Sequence, residues 1–250
     1  MATDLHVFAV AGIPEVTPGA DLGALIADAV RRSGRAAEDG DVLVVAQKIV
    51  SKAEGALVRL AEVIPSPLAH EWGTAHGLDP HVVEVVFRES RRIVRMDRGI
   101  LIAETRHGFV CANAGVDTSN VAPGFVTVLP RDSDESAEGL RAGLSEALGC
   151  PISVIVADTF GRPWREGFVN VALGVAGLRP LIDYRGCVDP HGHRLHATII
   201  ALADEIAGAA EIVMRKTAGT PVAIVRGAAE WAGDGSGRML VREAGRDLFR

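Results

Sequence analysis

Three short segments carry most of the chemistry this chain could perform. In Val154-Ile155-Val156-Ala157-Asp158-Thr159, an apolar run delivers an Asp and then a Thr at its end. Hard oxygen donors placed there, at the mouth of a sheet where α/β proteins bind substrates, suit Mg²⁺ or Mn²⁺. A turn Asp capping the next element is the plainer account. Asn113-Ala114-Gly115-Val116-Asp117-Thr118-Ser119-Asn120 puts a second Asp into a small-residue turn, where Gly115 lets the backbone approach a ligand. Taken alone, the segment favours an Asx turn as the account of Asp117. Two such turns, each after a buried strand, make a shared cation site more credible than either turn alone. The third segment, Asp41 to Gly55, follows an apolar run with Gln47, Lys48, Ser51 and Lys52. On a helical turn Lys48 and Lys52 share a face, as a phosphate clamp or as two surface lysines. The chain has no G-x-x-x-x-G-K-[ST] string, so it is not a P-loop protein.

A fourth segment, Asp189-Pro190-His191-Gly192-His193-Arg194-Leu195-His196, offers three imidazoles that a zinc ion would accept. Against that, no carboxylate or thiolate stands at a matching helical spacing, and Gly192 reads as a hairpin turn.

The elements that must position these residues show in the periodicity. Leu5 to Val10 reads as a first strand, Asp21 to Arg32 as a helix, and Val42 to Ala46 as a buried strand. Glu62 to Arg98 reads as helical and charged, with Arg91, Arg92, Arg95 and Arg98 at its end, where cations suit the dipole. Ile100 to Val128 is strand-rich, Ser136 to Leu148 helical, and Ile152 to Ala157 a strand that stops at Asp158. Thr198 to Met214 reads as a helix and Pro221 to Val225 as a buried strand, with a loosely held middle to the tail beyond Gly227. The mixture is α/β, with no internal repeat.

At 250 residues and 48% hydrophobic content the chain can bury an enzyme-sized core. The net charge of -6 argues against a sequence-independent grip on nucleic acid, so an anionic ligand must be met locally. Lysine stands only at Lys48, Lys52 and Lys216, and arginine supplies the remaining positive charge. Cys111, Cys150 and Cys187 are too scattered for a disulfide framework. The start lacks a basic leader, and no apolar run nears the roughly 20 residues that span a bilayer. A cytoplasmic protein without membrane partners is the expectation.

Together with Gly12-Ile13-Pro14-Glu15, Asp183-Tyr184-Arg185-Gly186, Ala203-Asp204-Glu205 and Val225-Arg226-Gly227, these segments resemble the coenzyme F420-0:L-glutamate ligase family in order and spacing. The strings DGDVLVVAQKIVSKAEG, NAGVDTSNV, DTFGRPWR and DYRG carry the likeness, which runs from about Val7 to Gly227. The resemblance implies GTP-dependent formation of an amide between the terminal carboxylate of F420-0 and L-glutamate. An acyl phosphate would be the intermediate, and a second, γ-linked glutamate would be added to F420-1. It implies Mg²⁺ or Mn²⁺, two per site, with K⁺ as a helper. It further implies an intertwined homodimer and a mixed α/β fold, neither P-loop nor Rossmann, as one unit over residues 1–250 or as two interleaved subdomains. The chain is too short for the C-terminal flavin reductase domain of some relatives.

By matching motif, Asp117 and Asp158 would hold one metal and Thr159 would contribute to a second. GTP would touch Ile13, Pro14, Glu15, Val16, Gln47, Lys52 and Asn120, then the loop Met214, Arg215, Lys216 and Thr217. Many relatives have Gly where Arg215 stands, and some have Ser at Gln47, whose contact would then run through the backbone. No histidine of residues 191–196 acquires a role. The competing readings are a metal-dependent phosphohydrolase with Asp158 as nucleophile, and a nucleotide-binding module without turnover.

Overall fold

The computed structural model describes residues 4–247. Residues 1–3, part of the segment read above for a leader, lie outside the described residues. The first elements are β1 (His6–Val10), α1 (Leu22–Arg32), β2 (Val42–Ala46) and α2 (Gln47–Ala53). A smaller lobe follows: β3 (Leu57–Arg59), α3 (Pro67–His76), α4 (Pro80–Glu89), β4 (Ser90–Asp97), β5 (Ile100–Thr105), β6 (Val110–Ala112) and β7 (Phe125–Thr127). The chain then returns through α5 (Ser133–Leu148), β8 (Ser153–Arg162), β9 (Arg165–Ala176), β10 (Ile182–Asp183), β11 (Ile199–Ile200), α6 (Leu202–Met214) and β12 (Val222–Arg226).

The main sheet has the order β1-β12-β2-β8-β9. Only the β2–β8 pair is parallel; β1–β12, β12–β2 and β8–β9 are antiparallel. In β2 the run Val42 to Val45 is buried throughout, because both faces of the sheet are covered. Leu43 and Val45 pack into a cluster with Ile26 of α1 and Leu144 of α5, while Val42 and Val44 pack against Ile206 and Ala210 of α6. Each such side chain taken out of water contributes about 1.5–3 kcal/mol. A third cluster, Val83, Val86, Leu101, Ala103, Val116 and Val126 among others, is the core of the smaller lobe.

Local signals set the helix starts. Asp21 accepts from the Ala24 N–H at 2.9 Å, and Asp132 accepts from the N–H groups of Asp134 and Glu135. Helix α5 lies so close to β9 that a Cβ on Gly174 would overlap the Ser133 carbonyl, so only glycine fits there.

Three expectations need correction. The segment 62–98 is not helical to its end: α3 and α4 occupy its middle, and Ser90–Asp97 is strand β4, paired with β5. Arg91, Arg92 and Arg95 therefore line a strand, where Arg92 pairs with Glu104 at 3.1 Å, Arg98 sits in the turn after it, and none of them caps a helix. Strand β8 does not stop at Asp158 but runs to Arg162 and turns into β9, which fills the Gly-rich stretch after Gly161. The tail past Gly227 is held in its middle: Gly237 is buried and donates to Asp134 at 2.6 Å, and Gly233 donates to the Gly177 carbonyl at 3.0 Å.

Candidate functional site

The C-terminal ends of β2 and β8 point the same way, because the two strands are parallel. They open on a cavity of about 530 Å³, the size of small-molecule sites generally. One wall is the loop Ile13 to Val16 between β1 and α1, and another is α2, whose Gln47, Lys48 and Lys52 face inward as the helical spacing predicts. Asp117, Ser119 and Asn120 come from the smaller lobe, and Asp158 and Thr159 from β8. The loop after α6 adds Met214, Arg215, Lys216 and Thr217. Every residue that the resemblance assigns to metal or nucleotide thus lines this one cavity.

Asp117 is held by an Asx turn, its Oδ1 accepting from the Ser119 N–H at 2.7 Å, and its Oδ2 lies 2.6 Å from Lys48 Nζ. Just before it, Asn113, Ala114 and Gly115 all have positive φ, a left-handed turn that sets its direction. Burial by itself would raise the Asp117 carboxyl, but Lys48 and the Ser119 N–H outweigh that and hold it below the usual range. Asp158 behaves oppositely. Desolvation pushes its carboxyl up to about 6, the nearby charge of Asp117 adds to the rise, and Lys216 with the Thr159 backbone N–H offsets only part of it. Among the described residues Asp158 makes no ion pair.

The other two lysines of the cavity are engaged by the protein. Lys52 Nζ donates to Glu15 Oε1 at 2.5 Å, and Lys216 Nζ donates to Thr159 Oγ1 at 2.5 Å. Gln47 is buried and its amide donates to Ser51 Oγ and the Val128 carbonyl, so that side chain is occupied within the protein.

The donor set fits a hard divalent cation. Two carboxylates feel each other's charge, one is desolvated without an ion pair, and a hydroxyl stands beside it. Among the described residues no three His, Cys, Asp or Glu side chains form a metal cage. Mg²⁺ commonly takes one or two carboxylates and completes its shell with water and phosphate oxygens, so a two-carboxylate site suits it or Mn²⁺ better than zinc.

The histidine segment lies elsewhere: Val188 bridges Arg194 around a turn in which Gly192 has φ 89°, and His193 Nδ1 sits 3.3 Å from Asp189 Oδ2.

A family model described as F420-0:Gamma-glutamyl ligase matches residues 12–227. The chain belongs to this family. Among F420-0:gamma-glutamyl ligase relatives, the coenzyme F420:L-glutamate ligase of Methanothermobacter thermautotrophicus is 46% identical over 250 residues, covering 98% of this chain and 99% of that protein. The enzyme of the same name from Methanopyrus kandleri is 48% identical over 241 residues, 94% of each chain. That from Methanocaldococcus jannaschii is 44% identical over 214 residues, 85% of this chain and 86% of that protein.

A further residue of this family member's site, Asn170, carries no sequence signal. It is buried on β9 opposite Thr159, lines the cavity, and its Oδ1 accepts from Thr159 Oγ1 at 2.8 Å. No motif surrounds it; only the strand pairing reveals it.

Proposed function

We propose that this chain joins the terminal carboxylate of coenzyme F420-0 to the amino group of L-glutamate, with GTP cleaved to GDP and phosphate. One observation carries the proposal: Asp117, Asp158, Lys52 and Asn120, drawn from three separate stretches of the chain, line one cavity. The relatives' names supply the substrates. A carboxylate is a poor electrophile, so its oxygen first attacks the γ-phosphorus of GTP; the β–γ bridging bond breaks, GDP leaves and an acyl phosphate remains. The glutamate amine then attacks the acyl carbon, inorganic phosphate departs and the nitrogen loses its proton.

In this reading Lys52 and Lys216 neutralise triphosphate charge, Ile13 to Val16, Gln47, Asn120 and Met214 to Thr217 hold the nucleotide, and no protein nucleophile is needed. Asp117, Asp158 and Thr159 would hold two divalent cations, Mg²⁺ or Mn²⁺ with K⁺ assisting, which supply further charge stabilisation on the transferring phosphoryl group. The test is incubation with GTP and Mg²⁺: GDP should accumulate beyond one equivalent per site only when F420-0 and L-glutamate are both present. Phosphate release without glutamate would instead identify a phosphohydrolase, and binding without turnover a nucleotide-binding module. Mass spectrometry of the exhausted reaction counts the glutamates, with two expected, the second γ-linked onto F420-1.

The homodimer belongs to the same proposal. The β8–β9 hairpin carries Trp164 at 81% and Phe168 at 71% exposure, apolar surface that a second copy would cover. Sedimentation equilibrium should give twice the chain mass of 26.3 kDa. A monomer mass at micromolar concentration would end that part of the proposal. Among the described residues no helix is long and apolar enough to cross a membrane.

A further inference from the structure

We infer that the Arg215 side chain binds a carboxylate of the non-nucleotide substrates, and that its strained backbone is kept for that contact. The inference rests on the ligase reading above and adds to it a substrate contact for a residue placed so far only beside the nucleotide. Arg215 ends α6 with φ 55° and ψ 147°, a conformation open to glycine and costly for any residue carrying a Cβ. The surroundings impose it from both sides. Met214 before it is buried in the core and its carbonyl accepts from Thr220 Oγ1, while Lys216 after it is tied to Thr159. The Arg215 N–H still donates to the Glu211 carbonyl at 3.1 Å. The chain therefore passes through this conformation whatever side chain stands there, and arginine makes it more costly than glycine would.

The side chain gives nothing back to the fold. Among the described residues the Arg215 guanidinium has no ion pair and no hydrogen bond, and the residue is exposed where it lines the cavity. The other cations there are all occupied: Lys48 by Asp117 and Ser119, Lys52 by Glu15, Lys216 by Thr159. A planar fork of donors matches a carboxylate with two parallel hydrogen bonds, which an ammonium cannot do. The reaction brings in such groups on both the F420-0 acid and glutamate, and in the proposed function the triphosphate already has Lys52, Lys216 and the divalent cations that Asp117 and Asp158 would hold.

The experiment compares the full chain with Arg215→Gly and Arg215→Lys, measuring KM separately for GTP, F420-0 and L-glutamate together with thermal unfolding. For Arg215→Gly the KM for F420-0 or for glutamate should rise about tenfold or more, and by more than that for GTP. Its melting temperature should rise by a few degrees because the backbone strain is relieved. Which of the two KM values moves identifies the carboxylate. Arg215→Lys, which keeps charge and strain but loses the fork, should raise the same KM partway without gaining stability. Unchanged KM values for both substrates, or a rise confined to GTP, would overturn the inference, as would a drop in melting temperature with no KM effect. If the wild-type chain itself made no GDP with both substrates present, the ligase reading would fall and this contact with it. Wild-type turnover with an indifferent Arg215→Gly removes the contact alone.

Discussion

Replacing Asp158 with Asn is expected to abolish ligation while raising the melting temperature of the metal-free protein at neutral pH. The carboxyl is pushed up to about 6 against an ordinary value of 3.8, chiefly by desolvation, so the folded state holds its proton more tightly than the unfolded chain does. Stability from this group is then complete below about pH 4 and is lost as pH rises through 6. Above that the ionised form is a standing cost, which the amide removes. Asp117→Asn should also stop ligation but should lower stability near neutrality. Its carboxyl is held below the usual range by Lys48 and Ser119, and that contribution is present above the unfolded value and lost in acid. Activity should fall in both by on the order of 10²–10³-fold or more, as when a group fixing charge at a reacting centre is removed. GDP release with both substrates and calorimetric melts from pH 4 to 8 read the two effects together. Near-normal turnover of either variant at low Mg²⁺ would show that these carboxylates do not share a cation.

At the opposite end of the same sheet, Arg226→Ala should cost about 3–5 kcal/mol of stability, the usual result of stranding a buried charge. Asp41 is 1% exposed, and Arg226 grips it through Nε to Oδ1 at 2.9 Å and Nη2 to Oδ2 at 2.8 Å. The same guanidinium reaches Glu38 and the Ala36 carbonyl, and without it Asp41 keeps the Glu38 N–H on Oδ2 at 2.9 Å. Asp41 precedes β2 and Ala46 ends it, which puts roughly 17 Å between this clamp and the cavity. Urea unfolding should therefore show the loss, while kcat well below the transition stays within about twofold of wild type. A cost under about 1 kcal/mol would mean that Asp41 finds water or another donor. The Val225-Arg226-Gly227 string thus stands away from the cavity, and a Cβ at Gly227 would overlap the Asp4 carbonyl.

Much of this was legible in the sequence because apolar spacing reports burial. Strand β2, helix α1 and strand β12 fall where the pattern puts them, since each buries a face or two faces against long-range partners of the expected kind. Strand β4 was hidden by its arginines: Arg91, Arg92 and Arg95 lie exposed along a strand whose register against β5 slips twice, so they keep no period of two, and charge spacing alone suggests a helix. The extension of β8 was hidden by Asp158, Thr159 and Gly161. Polar and flexible residues break an apolar run, and only pairing with β9 shows that the backbone continues. Asp117 and Asp158 were found because their strings are distinctive, although the turn inferred for Asp158 is strand. Asn170 escaped for the converse reason, since it belongs to no string and acquires meaning only across the sheet.

That pairing depends on one irregularity. Between Val156 and Ala157 the register of β9 slips by a residue, so that Val156 faces Gly174 but Ala157 faces Ala172, and Leu173 is left over. Carried through without the slip, the alignment would set Val171 opposite Thr159 and move Asn170 beside Phe160, on the sheet's other side. The ladder of backbone bonds would survive such a change almost intact, yet the threonine hydroxyl would meet a hydrocarbon in place of an amide. A single surplus leucine, far from any conspicuous motif, decides which neighbour that hydroxyl has.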